Sequence, residues 1–249
     1  MKKIIMTLLF CVVIGIPVQG QAKTTTVKNL NQRQSEETQM LVRTVKTKNT
    51  NEVFSVSFEN SNQAKTARRE ICDFVQDVRT PFVVRQKGAE VSVSNGKWLC
   101  QEIKLTEKTN TKIYKICKRI GIKNGQKPKT AYAKIKNYIC KKLKYKRTQA
   151  DVGTALKTGR GNCVAYARLN EKMCGTCGIP CKSYSGFAGT IGHEWNRVKI
   201  GGKWYWSDLC WMDTGGGNRF FLMKSLKTHS KYTRKLYIHQ KNGKRVAVS

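Results

Sequence analysis

The sequence predicts an α+β protein in which a cysteine-bearing helix packs on an antiparallel sheet, preceded by a small α+β subdomain. Three observations lead there. The stretch GRGNCVAYARLNEKMCG reads as a helix opening at Cys163. The stretch GHEWNRVKIGGKWYWSDLCW reads as two strands joined at Gly201-Gly202, a dipeptide suited to a tight hairpin. Upstream, a strand-like alternation and a helical stripe are followed by two further β-like runs.

Taken in order, the first 22 residues, MKKIIMTLLFCVVIGIPVQGQA, have the form of a secretory signal. Two lysines precede an apolar run from Ile4 to Ile16, and small residues follow near Gly20 and Ala22. The run is short for a membrane span, and no later stretch is apolar enough to cross a bilayer. A secreted, extracellular or cell-surface protein without stable membrane insertion is therefore expected. Residues 23–50 are polar and rich in threonine and lysine, which predicts a flexible leader or loosely docked segment.

Residues 51–108 read as the N-terminal α+β subdomain. Val53 to Phe58 alternate like a strand, and Ala64, Ala67, Ile71, Phe74, Val75 and Val78 fall at helical spacing before Pro81. Two β segments are expected at Phe82–Val84 and Glu90–Leu105, the second interrupted by a turn at Asn95-Gly96. Residues 109–249 form the second unit. Ile113, Ile116, Cys117 and Ile120 make a short helical stripe, and Tyr132, Ile135, Ile139 and Leu143 make another after the turn GIKNGQKP. The end, LYIHQKNGKRVAVS, reads as a hairpin about Asn242-Gly243, with His239 a strand residue.

The chemistry gathers at three positions. Gly159 and Gly161 break the preceding structure, Asn162 is a good N-cap residue, and Cys163 falls on the first helical turn. The exposed N–H groups there favour a thiolate. With a two-residue hairpin loop, Ile200 faces Lys203 and Trp195 comes opposite Asp208. His193 is then diagonal to Asp208, within reach of a long side chain. His193, Trp195, Trp206 and Asp208 share one sheet face, while Val198, Ile200, Tyr205 and Leu209 take the core face. A one-residue slip would bury the polar pair. Trp195 and Trp206 are accordingly candidates for the walls of a substrate cleft.

These segments resemble the transglutaminase-like superfamily of cysteine enzymes, relatives of the papain-like fold. ALKTGRGNCVAYA resembles its glycine-then-cysteine helix start. GHEWNRVKIGGKWYWSDLCWMD resembles its His-x-Trp-Asn strand, Gly-Lys-Trp-Tyr turn and Asp-x-x-Trp ending. The resemblance implies a papain-like or transglutaminase-like core, with Cys163 as nucleophile, His193 as proton partner and Asp208 orienting the imidazole. It further implies acyl transfer from, or hydrolysis of, protein or peptide amides. No calcium-site signature is evident, so no cofactor or metal is expected.

Ten cysteines are present, and Cys11 leaves with the signal. Setting Cys163 aside leaves eight: Cys72, Cys100, Cys117, Cys140, Cys174, Cys177, Cys181 and Cys210. An even remainder in an exported chain suits up to four disulfides. Alternatively, Cys174, Cys177 and Cys181 with Cys210 could ligate zinc. The chain carries 48 Lys and Arg against 15 Asp and Glu, a formal charge of +33 that falls to +31 without Lys2 and Lys3. Such a surface attracts polyanions, among them anionic cell-wall polymers. The lysines are spread along the chain with no recognisable nucleic-acid module, so no specific nucleic-acid partner is expected. The rival to an enzyme is a non-catalytic basic protein of the same fold that binds the cell surface or wall.

Overall fold

Two apolar cores share one long helix. The computed structural model describes residues 34–75, 83–148, 151–188, 191–226, 237–239 and 245–247; the expected signal segment lies outside these. In the first core, strands β1 (Phe54–Ser57), β2 (Val83–Lys87) and β3 (Glu90–Ser94) form an antiparallel sheet in the order β1–β3–β2. Helix α2 (Ser61–Phe74) packs on it, and α1 (Glu36–Lys48) packs in turn against α2 and α3 (Gly96–Arg119). Leu41, Val45, Ile71, Val91, Val93, Leu99 and Ile103 are fully buried between them.

Three expectations change here. Residues 36–48 of the proposed flexible leader are a helix. Ser35 caps it by accepting from the Thr38 N–H, acidic residues open it, lysines close it, and Leu41, Val42 and Val45 anchor it in the core. A narrow apolar stripe is enough to dock a segment whose overall composition is polar. Secondly, the β segment expected to reach Leu105 stops at Ser94. Asn95 takes a left-handed conformation (φ 54°) and launches α3 rather than a hairpin. A Cβ on Gly96 would stand 2.7 Å from the Phe54 ring and 2.9 Å from the Thr50 carbonyl, so only glycine fits at that start. Thirdly, the division expected at residue 108 falls inside a single helix: α3 gives Leu99, Cys100 and Ile103 to one core and Ile113, Ile116 and Cys117 to the other.

The second core is built by α3, α4 (Pro128–Lys142) and α6 (Cys163–Thr176), with the short α5 (Val152–Thr158) between the last two. They lie against an antiparallel sheet of β6 (Cys181–Ala188), β7 (Ile191–Ile200) and β8 (Lys203–Ser207), ordered β6–β7–β8. Before α6, a two-residue strand β4 (Lys144–Tyr145) pairs in parallel with β5 (Arg160–Gly161). The α6 residues Leu169 and Met173 bury themselves with Ile135, Ile139 and Val198. Each such side chain contributes about 1.5–3 kcal/mol by leaving water. A buried polar network fixes α6 against its neighbours. The Asn170 amide donates to the Tyr132 hydroxyl at 3.1 Å and to Asn196 Oδ1 at 2.9 Å, and the Asn196 amide donates to the Ala167 carbonyl at 2.9 Å. The two terminal segments described, β9 (Tyr237–His239) and β10 (Arg245–Ala247), pair antiparallel as the sequence suggests. No described helix is long and apolar enough to cross a membrane.

Candidate active site

Local chemistry explains why α6 starts at Cys163. α5 ends with Gly159 in the left-handed region (φ 72°), its N–H donating to the Ala155 carbonyl at 2.8 Å. Gly161 then passes so close to α6 that a Cβ there would lie 2.8 Å from that of Ala165. Asn162 caps the helix: Oδ1 accepts from the Ala165 N–H at 3.2 Å, while Nδ2 donates to the Arg147 carbonyl at 3.1 Å. The thiol of Cys163 therefore sits at the helix N-terminus, nearly covered at 9% exposure.

The hairpin delivers the imidazole and the carboxylate. Gly201 and Gly202 both have positive φ (56° and 81°), and Ile200 pairs with Lys203 as the two-residue loop requires. Pairing continues through Arg197–Trp206 to Asn196–Ser207, where the ladder ends. One further step outward sets Asp208 opposite Trp195 and diagonal to His193. His193 Nε2 and Asp208 Oδ2 are 2.6 Å apart, both buried. At Asp208 the chain turns into α7 (Leu209–Trp211), a single turn that Asp208 itself caps, its Oδ1 accepting from the Trp211 N–H at 3.0 Å. Each carboxylate oxygen thus has a fixed partner.

His193 is also hydrogen-bonded to Cys163, and with Nε2 committed to Asp208, Nδ1 is the nitrogen available to the sulfur. Burial pulls the imidazole pKa down, but the bonds to Asp208 and Cys163 outweigh it and raise it to about 9. The three residues singled out from the sequence are therefore in mutual contact through His193.

The tryptophans divide differently. Trp195 stacks beside His193 at 5.9 Å between ring centres but is only 1% exposed, buried with Phe220, Met223 and Leu226. Trp206 is half-buried, with the Arg197 guanidinium 5.1 Å above its ring. Two residues at the site were not singled out. Trp211 stacks on His193 at 4.8 Å, nearly parallel. Tyr145, about half exposed, lies near Cys163; burial raises its hydroxyl pKa and the Cys163 sulfur adds to the effect. The Asp-x-x-Trp ending was a signal for Trp211. Nothing local signals Tyr145, which pairing with Gly161 places in the neighbourhood of Cys163.

The cysteines proposed as a zinc set do not come together as one. Cys174 is beside Cys181 and Cys177 beside Cys117, whereas Cys210 is next to Asp208, Cys163 and Cys140. Among the described residues, no three or more His, Cys, Asp or Glu side chains are placed to hold a metal ion.

Residues 115–209 match the sequence profile of the transglutaminase-like superfamily. That segment is a transglutaminase-like core. It contains Cys163, His193 and Asp208. Kyphoscoliosis peptidase from Mus musculus and that from Homo sapiens are each 34% identical to the chain over 68 residues, covering 22% of it and 10% of the relative. The chain thus spans about a tenth of the length of these curated relatives. Among solved structures, a candidate cysteine protease from Cytophaga hutchinsonii aligns at 18% identity and TM-score 0.35, covering 57% of this chain and 41% of that one. A TGase aligns at 13% identity and TM-score 0.37, covering 64% and 51%.

Proposed function

We propose that the protein is a thiol-dependent acyl-transfer enzyme acting on protein or peptide amides outside the cell. Cys163 is the nucleophile, His193 its proton partner and Asp208 the group that orients the imidazole. The observation that carries this reading is the imidazole of His193, bonded on one side to Asp208 and on the other to Cys163.

In the first step the Cys163 sulfur bonds to the amide carbonyl carbon, and charge moves onto the oxygen. The backbone N–H of Cys163, at the positive end of α6, is one donor for that oxygen. Collapse breaks the C–N bond, and the proton on His193 goes to the departing amine. The thioester is then attacked by a lysine amine, giving an isopeptide bond, or by water, giving a carboxylate. His193 takes the attacking group's proton, and the Cys163 sulfur leaves as the restored thiolate. Tyr145 and Trp211 flank the reacting centre, and the exposed Lys144, Lys146 and Arg147 alongside favour acidic sequence around the target amide.

The test is incubation with a glutamine-bearing protein and a fluorescent primary amine. Incorporation that disappears in Cys163→Ala, by at least about a thousandfold, supports transfer. Ammonia or new carboxylate without incorporation assigns hydrolysis. If neither appears, and Cys163→Ala leaves binding to anionic polymers intact, the chain is a basic binding protein instead.

A further inference from the structure

Two pairs of cysteines lie near the end of α6 remote from Cys163. Cys117 lies in the last turn of α3, Cys174 and Cys177 at the close of α6, and Cys181 opens β6. Cys117, Cys174 and Cys177 are fully buried and Cys181 is half-buried. The backbone brings them together. The Cys177 N–H closes α6 on the Met173 and Cys174 carbonyls, and the Ile179 N–H returns to the Cys174 carbonyl at 2.9 Å. This reversal starts β6 alongside the helix it has just left, which lays Cys181 beside Cys174. Four cysteines can pair in three ways. Cys117 and Cys177 are free thiols placed side by side, as are Cys174 and Cys181, and that adjacency selects one of the three.

We propose that Cys117–Cys177 and Cys174–Cys181 are disulfide bonds of the functional protein, formed by exchange with a disulfide-bearing donor, either a small molecule or an oxidoreductase. For each bridge, one cysteine thiolate attacks the donor disulfide, forming a mixed disulfide and releasing one donor thiolate. The partner cysteine thiolate then displaces the second. Two cysteine thiols lose two protons and two electrons, and one donor disulfide becomes two thiols. The first bridge fastens α3 to α6 and the second fastens α6 to β6. Cys163 is out of reach of these four: eleven residues of helix separate it from Cys174, roughly 16 Å. Burial also pushes the Cys174 thiol pKa up, so exchange belongs to the unfolded or opening chain rather than to the closed one. The inference stands independently of the proposed reaction.

The test is oxidative refolding. The denatured, reduced full chain is returned to native conditions with reduced and oxidised glutathione, treated with iodoacetamide, digested without reductant and mapped by mass spectrometry. The expected products are peptides linking Cys117 to Cys177 and Cys174 to Cys181, with Cys163 alkylated. Three results would overturn the proposal: any other linkage among the four, a native fold in which all four are recovered as alkylated free thiols, or one equivalent of zinc held by unlinked cysteines. The variant Cys117→Ala/Cys177→Ala opens a loop of about 60 residues and should lower the Tm by roughly 10 °C. Cys174→Ala/Cys181→Ala opens a loop of about 8 and should lower it less. Both differences should vanish when wild type and variants are compared in a strong reductant. Persistence there would assign the loss to packing and overturn the bridges.

Discussion

His193 is where the residue-scale physics is most exposed to measurement. Its imidazole pKa stands at about 9, above the ordinary 6.5, because hydrogen bonds to Asp208 and Cys163 overcome the cost of burial. A raised value stabilises the fold fully below pH 6.5, and the contribution fades as pH rises through about 9. Its full size is on the order of 3 kcal/mol. In the proposed reaction the same proton serves the departing amine, so kcat/KM should hold through neutrality and fall on an alkaline limb near pH 9 in a pH–rate profile. Asp208→Asn should move that limb toward acid by about one unit or more. Trp211 gives a second test. Trp211→Ala keeps the backbone N–H on Asp208 but removes the ring that lies against the imidazole. Steady-state kinetics should show kcat lowered roughly ten- to a hundredfold, with Trp211→Phe recovering most of it. Cys163, His193 and Asp208 were legible in the sequence because strand parity and one glycine pair decide which side chains share a face. Trp211 escaped because its position depends on where β8 stops. Asp208 ends the ladder, caps a single turn and thereby folds the indole back over its own neighbour.

At the scale of elements, the tightest joint is the passage from β5 into α6. Gly161→Ala would drive a methyl group to 2.8 Å from Ala165, and urea denaturation should show a loss of about 1–3 kcal/mol. Since Gly161 immediately precedes Asn162 and Cys163, activity should fall further than stability alone accounts for. α1 makes the opposite case, an element hidden by composition. Leu41 is completely buried although most of its helix is polar. Leu41→Ala should cost roughly 2–5 kcal/mol in the same measurement, whereas an undocked leader would show no change. The helices α2 and α4 and the β7–β8 hairpin were legible because their apolar spacing is regular and their ends carry turn residues. α3 was not. Its first turns follow directly on an alternating strand, and Asn95-Gly96 is the dipeptide that ordinarily closes a hairpin. Only the approach of Phe54 and the Thr50 carbonyl to Gly96, a contact distant in sequence, decides for the helix.

For the whole molecule, the α+β class and the two-part arrangement follow from the periodicities, but the seam between the parts does not. The element pattern suggests a division near residue 108, which falls inside α3. The two cores should therefore melt together: calorimetry of the full chain should give one transition, with calorimetric and van't Hoff enthalpies in agreement. Two separated transitions would mean that α3 breaks at its middle. As an unbroken rod of 24 residues, about 36 Å long, it has no joint at which one half could swivel without the other. Its far tip carries Cys117, in touch with Cys177 at the foot of the Cys163 helix. A pull on the N-terminal half thus arrives at that helix as torque, with no slack in between to absorb it.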